Sequence, residues 1–201
     1  MDDEIYQRYL DRAIAEANRL EAEIADCSGC QRGDGPRPVL GSGHPMSEVL
    51  LLKYRARRSE WGEGVAFFGR AGDAVLKSVH KLSVDPLAIY GTNCLKCPHD
   101  QPETARMRTA CGRWVVRELA LVDPKMVVVM GEATVAFLNE LALPLAEEIA
   151  YEPGVIQRFT PTVSCLVTPD IDESLDTTTA KGAFWRALQP LGEWYSQQPP
   201  Y

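Results

Sequence analysis

Short apolar runs alternate with longer amphipathic segments over most of this 201-residue chain. The clearest run is K-M-V-V-V-M at 125–130, and continuous apolar runs of this length are typical of strands buried on both faces. The pattern predicts four strands, at 49–52, 87–90, 125–130 and 162–167. It predicts helices at 3–26, 70–83, 103–122, 132–141 and 177–189, and Pro190 is expected to end or kink the last of them.

This alternation of strands and helices predicts the fold class. We expect an α/β protein, a three-layer α/β/α fold with a central, mostly parallel four-stranded sheet. The length suits a single domain that spans 1–201. Because such sheets bind ligands at the carboxyl ends of their strands, functional residues are expected at 53–69, 93–99, 131–134 and 168–172.

Composition and charge exclude several classes of protein. Apolar residues make up 45% of the chain and charged residues 24%, which are ordinary globular values that exclude wholesale disorder. No apolar run approaches the roughly 20 residues of a membrane-spanning helix, and the acidic N-terminus lacks the features of a secretory signal. We therefore expect a cytoplasmic protein. A net charge of −7 argues against a surface covered in basic residues, but it allows a local basic patch that binds nucleic acid.

Four of the six cysteines are arranged like the ligands of a metal or cluster site. Cys27 and Cys30 form a C-x-x-C motif, and Cys97 and Cys111 follow far downstream with 13 residues between them. In a chain expected to be cytoplasmic, this spacing favours metal binding over disulfides. The other two, Cys94 and Cys165, are expected to be small buried apolar residues.

Several short motifs occur in a telling order. They are V-L-G-S-G-H-P at 39–45, F-F-G-R-A-G at 67–72, T-N-C-L-K-C at 92–97, and a segment at 124–133 that begins P-K and ends G-E-A. Together with the four cysteines, they resemble motifs of the iron–sulfur uracil-DNA glycosylases, family 4 and its relatives. The resemblance covers roughly residues 3–194.

The resemblance implies a cofactor and a partner. It assigns Cys27, Cys30, Cys97 and Cys111 to a [4Fe–4S] cluster, and a zinc site with four cysteine ligands is the alternative. In either case the site would clip the N-terminal helix and the C-x-x-C loop (1–38) to the rest of the domain. The implied partner is DNA, single- or double-stranded, which would make the protein nucleoid-associated.

The resemblance also implies a pocket for an everted nucleobase. Phe67 falls on the position of the aromatic plate against which the base lies, and Asn93 falls on the position that reads the base edge. An amide offers both a donor and an acceptor, as a uracil-like edge requires. The alternatives are a core position for Phe67 and a turn or cap position for Asn93.

Two catalytic motifs of the family are altered. Residues 53–57, K-Y-R-A-R, stand where G-E-A-P-G is expected, so that Tyr54 takes the place of the carboxylate. Thr168 takes the place of the histidine in H-P-S. A phenol with a pKa near 10 is a poor base at neutral pH, and losing one well-placed donor lowers a rate by about 10²–10³.

Three acidic residues are candidates to replace the lost groups. Asp170 follows the last strand, and Glu60 and Glu63 lie in the loop after the first. A carboxylate there could position a water molecule, and the alternative is a solvated loop charge. We name Asn93, Tyr54, Thr168 and Asp170 as the candidate catalytic residues.

The altered loop is itself basic. Lys53, Arg55 and Arg57, followed by Arg58, lie at the carboxyl end of a predicted strand in an otherwise acidic chain. Phosphate contact is the functional interpretation, and a solvated charge run is the alternative. Trp61 is expected either to stack on a base or to belong to the core.

Two functions remain open at this point. The first is a divergent DNA glycosylase that hydrolyses the N-glycosidic bond of uracil or another damaged base in base-excision repair. The second is a catalytically silent module of the same fold that binds nucleic acid or a nucleobase.

Overall fold

The computed structural model describes residues 3–30, 37–98 and 103–198. Its six strands are β1 (Ser42–Gly43), β2 (Val49–Arg55), β3 (Ile89–Leu95), β4 (Met126–Met130), β5 (Ile156–Arg158) and β6 (Ser164–Thr168). Its eight α-helices in these ranges are α1 (Asp3–Ala25), α2 (Arg58–Glu63), α3 (Arg70–Lys81), α4 (Ala105–Val122), α5 (Glu132–Asn139), α6 (Ile171–Ser174), α7 (Thr178–Leu188) and α8 (Pro190–Ser196).

The strands form one sheet in the order β1-β3-β2-β4-β6-β5. The four central strands are parallel, and the edge strands β1 and β5 are antiparallel to their neighbours. The predicted α/β class and mostly parallel sheet are confirmed. The structure adds two edge strands of two and three residues, which are too short to leave an alternating pattern in the sequence.

The core lies on both faces of this sheet. All five residues of β4 are buried, as its apolar run predicts. Side chains of a strand alternate between faces, so that Leu51 and Val128 pack on one side and Leu50 and Val129 on the other. The first side is covered by α3 and α7, and the second by α4 and α5.

The first two predicted strands correspond to β2 and β3, and both differ from their predicted bounds. β2 continues past Leu52 to Arg55, and the segment predicted as a loop at 53–66 contains α2. β3 begins at Ile89 instead of 87, because Asp85 caps a short 3₁₀ turn by accepting a hydrogen bond from the Leu87 N–H. The functional consequence is that Lys53 lies within a strand.

The N-terminal helix α1 packs on the outside of this core. The C-terminal half of α1 contacts α4 through Leu20, Ile24 and Trp114. Of the predicted N-terminal unit at 1–38, residues 1–2 and 31–36 lie outside the described residues. Pro190 does interrupt the last helix, since α7 ends at Leu188 and α8 begins with the proline. None of the described helices is long and apolar enough to cross a membrane.

Candidate functional site

Four residues form a row across the carboxyl end of the parallel strands, and the candidate site is built around this row. Asn93 pairs with Lys53, Lys53 with Met130, and Met130 with Thr168, each at the carboxyl end of a parallel strand. Paired residues in a sheet point to the same face, so the four side chains share one side. At about 4.8 Å per strand, the row extends over about 14 Å.

Asn93 is the unusual member of this row. Its side chain is fully buried, and neither its Nδ2 nor its Oδ1 has a hydrogen-bond partner among the residues that the structure describes. Buried polar groups are nearly always hydrogen-bonded, because an unsatisfied one costs about 1–3 kcal/mol. This amide lies inside β3 and is therefore neither the turn nor the cap residue of the alternative interpretation. Its donor and its acceptor are both unused within the described part of the chain.

Phe67 is held in a strained conformation beside this row. Its φ of 62° lies in the left-handed region, which costs a residue other than glycine about 1–3 kcal/mol. Its backbone N–H donates to Glu60 Oε1. Its ring lies against Gly91, where an added Cβ would sit 2.7 Å from Phe67 Cδ2. Gly91 lies two residues before Asn93 on β3, so the Phe67 ring lies close to the Asn93 position. This placement suits the predicted aromatic plate, although the ring also packs in the core.

Lys53 lies inside the protein. Its Nζ is 2.6 Å from Glu60 Oε2 and 2.9 Å from Asp172 Oδ2, and its side chain is 1% exposed. The ammonium also lies 5.2 Å from the centroid of the Phe67 ring. The prediction that Lys53 contacts phosphate is corrected accordingly, because its charge is neutralised by two carboxylates within the fold.

Glu60 connects this ion cluster to the backbone. Besides binding Lys53, its Oε2 accepts a hydrogen bond of 2.6 Å from the Arg57 N–H, and its Oε1 accepts the Phe67 N–H. Its side chain is buried, so it is not a solvated loop charge, whereas Glu63 is exposed. We name Lys53, Glu60 and Asp172 the buried ion cluster. It ties β2, α2 and α6 together beneath the plate.

Tyr54 points away from this cluster. Because neighbouring residues of a strand alternate, its ring lies on the opposite face from Lys53 and packs edge-on against Phe137, with the ring centroids 6.2 Å apart. Its hydroxyl donates to Glu103, and burial with this carboxylate raises its pKa well above the ordinary value. The structure does not place Tyr54 beside Asn93, and a phenol with a raised pKa is a still poorer base.

Arg55 and Arg57 remain at the surface. Their side chains are 51% and 56% exposed. Arg55 binds Glu103, and Arg57 Nε lies 3.5 Å from Asp172 Oδ2. Exposed ion pairs of this kind contribute little to the free energy of unfolding. Both guanidinium groups can therefore leave these carboxylates for another anion. Trp61 is half-buried against the core, and its indole N–H donates to the backbone oxygen of Ala56 at 3.1 Å.

Thr168 and Asp170 close the other end of the row. Thr168 is buried, and its Oγ1 donates to the Pro169 carbonyl at 3.0 Å. Asp170 is half-buried and caps α6, its Oδ1 accepting from the N–H groups of Asp172 and Glu173. Burial raises the pKa of the Asp170 carboxyl, and the charges of Asp172 and Glu173 add to that increase.

The four candidate cysteine ligands lie on segments that meet at α4. Cys27 and Cys30 lie close enough to Cys111 to raise its pKa electrostatically, although burial is the larger cause. The N–H of Lys96, next to Cys97, donates to Cys111. Within the described parts of the chain, no three His, Cys, Asp or Glu side chains are grouped to hold a metal ion.

Cys27 has the surroundings of a thiolate. Its Sγ accepts hydrogen bonds from the Gly29 N–H at 3.5 Å, Arg113 Nη2 at 3.4 Å and Trp114 Nε1 at 3.3 Å. Burial alone would raise the pKa of this thiol, but the three donors outweigh it and lower the pKa below its ordinary value. Cys94 and Cys165 are fully buried, as predicted.

Glu118 was not identified from the sequence, yet it explains the T-N-x-x-K-C motif. Its Oε1 accepts from Thr92 Oγ1 at 2.9 Å, and its Oε2 binds Lys96, which also donates to Thr92 at 2.6 Å. Thr92 and Lys96 of the motif thus anchor α4 beneath β3, on the face opposite Asn93. The one sequence signal for Glu118 is Lys96 within an otherwise uncharged motif. A buried cation requires an anionic partner, so this lysine indicates a carboxylate elsewhere in the chain.

Comparisons with known proteins agree with this architecture. Three curated relatives, each named a Type-4 uracil-DNA glycosylase, come from Sulfurisphaera tokodaii, Archaeoglobus fulgidus and Thermotoga maritima. The chain is 23% identical to the first over 124 residues, 27% to the second over 122 and 23% to the third over 121, or 60%, 59% and 59% of its own length. These matches span 56%, 61% and 63% of the relatives, so the chain covers less than two thirds of each.

The family description of the Uracil DNA glycosylase superfamily matches residues 41–189, which is 149 of the 201 residues. The match runs from the residue before β1 to the end of α7, and so includes Asn93, Phe67, the buried ion cluster and Thr168. The chain belongs to the uracil-DNA glycosylase superfamily.

Proposed function

We propose that this protein binds DNA and accepts an everted nucleobase between the Phe67 ring and the Asn93 amide. The observation that carries the proposal is the buried Asn93 side chain, whose donor and acceptor are both without partners in ranges 3–30, 37–98 and 103–198. A uracil-like edge, with an acceptor beside a donor, would satisfy both. The relatives named as uracil-DNA glycosylases support DNA as the partner, for which a cytoplasmic, nucleoid-associated location is the matching expectation.

Hydrolysis of the N-glycosidic bond is the enzymatic form of this proposal. It requires a polar group that positions water and groups that stabilise the leaving base. Asp170 is the candidate for the first task, since it lies at the carboxyl end of the sheet with a raised pKa. One of its oxygens is held by the α6 backbone, which fixes the direction of the other.

The second candidate is a silent binding module. It is favoured by Tyr54, which faces the other side of the sheet, and by Thr168, which is buried where the family has a histidine. Neither residue replaces the lost group. In this form the protein would hold the everted base without cleaving it.

We propose that Cys27, Cys30, Cys97 and Cys111 hold a [4Fe–4S] cluster that fastens α1 to the core. A zinc site with the same four cysteine ligands is the alternative. A [4Fe–4S] cluster takes one thiolate on each of four irons, so its ligands need not converge on one atom. The thiolate-like surroundings of Cys27 support this assignment.

The proposal is tested with a panel of labelled oligonucleotides, single- and double-stranded, that carry uracil, hypoxanthine or xanthine. Alkali-dependent strand breaks that vanish in Asn93→Ala support the enzyme. Binding that favours one modified base by tenfold or more, without breaks, supports the silent module. Asn139→Ala is the matched control, because its amide is satisfied within the chain by Ile149. Equal affinity for modified and unmodified DNA, unchanged by Asn93→Ala, would overturn the base-binding proposal.

A further inference from the structure

A cavity lies beside α6, and none of the candidate site residues lines it. It is a groove of about 430 Å³ between α3, α6 and α7. Residues 171, 174 and 175 form one wall, on the same short segment that carries Asp172 of the buried ion cluster. Arg70, only three residues after Phe67, stands at the other side. The groove therefore begins where the base-binding site ends.

The charge of the groove is opposite to that of the chain. Arg70, Lys77 and Lys181 line it with a single acid, Asp73, whereas acids exceed bases by 28 to 21 in the whole sequence. Lys77 and Lys181 have no ion-pair partner among the described residues. Both ammonium groups are exposed and line one groove, so they repel one another, and a bound anion reduces that repulsion.

The cations form a continuous track. Arg70, Lys77 and Lys81 recur at spacings of seven and four along α3, which places them on one helical face. At 1.5 Å per residue, the track is about 16 Å long. Phosphates of one DNA strand recur about every 3.4 Å along the duplex axis. The track is thus long enough for several successive phosphates, and too long for a single phosphate ion.

An aromatic residue lies at the end of the track. Trp185 lines the groove while half-buried, and Lys81 Nζ lies 5.6 Å from its ring centroid. A cationic groove interleaved with an aromatic ring is the arrangement that binds nucleic-acid strands. We propose that this groove binds the sugar–phosphate strand that flanks the everted nucleotide. This inference rests on the proposed function and adds to it the path of the DNA backbone.

The experiment measures affinity for a labelled, unmodified single-stranded oligonucleotide by fluorescence anisotropy over a range of salt concentrations. Each phosphate contact contributes about 0.7 to the slope of log affinity against log salt for a single strand. We expect Lys77→Gln with Lys181→Gln to make the salt dependence shallower, reducing the magnitude of this slope by about 1.4. Arg186→Gln is the matched control, because Arg186 is exposed on the same helix and does not line the groove. A slope that the double variant leaves unchanged would overturn the inference.

The same titration separates this inference from the proposed function. Arg55→Ala with Arg57→Ala removes cations at the base-binding site, and we expect that change to lower the slope as well. If that pair lowers the slope while Lys77→Gln with Lys181→Gln does not, DNA binding stands and the groove assignment is wrong. If the unaltered protein binds no DNA at all, the proposed function itself is overturned, and the groove with it.

Tryptophan fluorescence provides a local readout. We expect the oligonucleotide to quench the protein fluorescence, and Trp185→Phe to remove most of that change, whereas Trp194→Phe keeps it because Trp194 does not line the groove. A deoxynucleoside monophosphate serves as the competitor. If it reproduces the quench at the same affinity, the groove is a nucleotide pocket, and the assignment to a strand is wrong.

Discussion

Asn93 illustrates a conflict between binding and stability within one side chain. Its unsatisfied amide lowers the free energy of unfolding. We expect Asn93→Leu, of similar volume, to raise the free energy of unfolding by about 1–3 kcal/mol in urea titration while it abolishes base binding. Asn139→Leu is the control and should destabilise, since it removes an amide bonded at both ends to Ile149. Destabilisation by Asn93→Leu would show that the amide has a partner within the fold.

Asp170 predicts a pH dependence. Because burial raises its pKa in the folded state, the folded protein holds more protons than the unfolded chain between the two pKa values, and stability falls as pH rises through that interval. Asp170→Asn keeps the helix cap and removes the charge. We expect the variant to be more stable at neutral pH and its stability curve to be flatter above pH 4, as measured by chemical denaturation. A curve parallel to that of the unaltered protein would contradict the raised pKa.

Single residues differed in how much the sequence revealed. Phe67 and Asn93 stand within motifs, so the resemblance alone names both as pocket residues, and that assignment stays a prediction. Glu103 and Glu118 lie outside these motifs, and their contacts with Tyr54 and Lys96 are known only from the structure. Outside a motif, a carboxylate cannot be told from a solvated charge until its partners are known.

At the scale of elements, the buried ion cluster links three segments that are far apart in sequence. Lys53 and Asp172 are separated by 119 residues. This separation explains why the strand at 49–52 was predicted to stop too early: a lone lysine ends an apolar run unless its partners are known. β4 agrees with its predicted bounds within one residue, because no buried charge interrupts its apolar run.

The cluster should be sensitive to the loss of one member. Lys53→Met leaves the Glu60 carboxylate buried without a cation and leaves Asp172 only the exposed Arg57 guanidinium among the described residues. We expect it to lower the free energy of unfolding by about 3–5 kcal/mol. Adding Glu60→Gln should recover part of this loss. Arg158→Met is the control, since its pair with Glu147 is exposed and worth at most about 1 kcal/mol. If Lys53→Met and Arg158→Met lower the free energy of unfolding equally, the buried ion cluster does not stabilise the fold more than an exposed ion pair does.

At the scale of the whole molecule, the proposed [4Fe–4S] cluster determines how α1 is attached. α1 contacts α4 mainly through Leu20, Ile24 and Trp114, a small apolar patch for a helix of 23 residues. A cluster held between the end of this helix and α4 would add covalent links to that contact. We therefore expect loss of the cluster to release α1 while the sheet stays folded.

The proposed [4Fe–4S] cluster is tested by purifying the protein without oxygen. We expect a brown protein that contains iron and acid-labile sulfide in equal amounts. Cys111→Ser should remove the colour and increase proteolysis near the C-x-x-C loop, and Cys165→Ala, which changes a buried cysteine outside the ligand set, should do neither. A colourless protein with one zinc per chain would instead support the alternative metal.

The contact between Phe67 and Gly91 has a consequence for redesign. The ring rests on bare backbone, and even one methyl group at position 91 would push it aside. The position of the ring is therefore set by main-chain geometry, since no side chain at position 91 supports it. If a base lies between this ring and the Asn93 amide, as proposed, a variant that admits a bulkier base must change Asn93 itself, because no side chain beneath the ring can be shortened to make room.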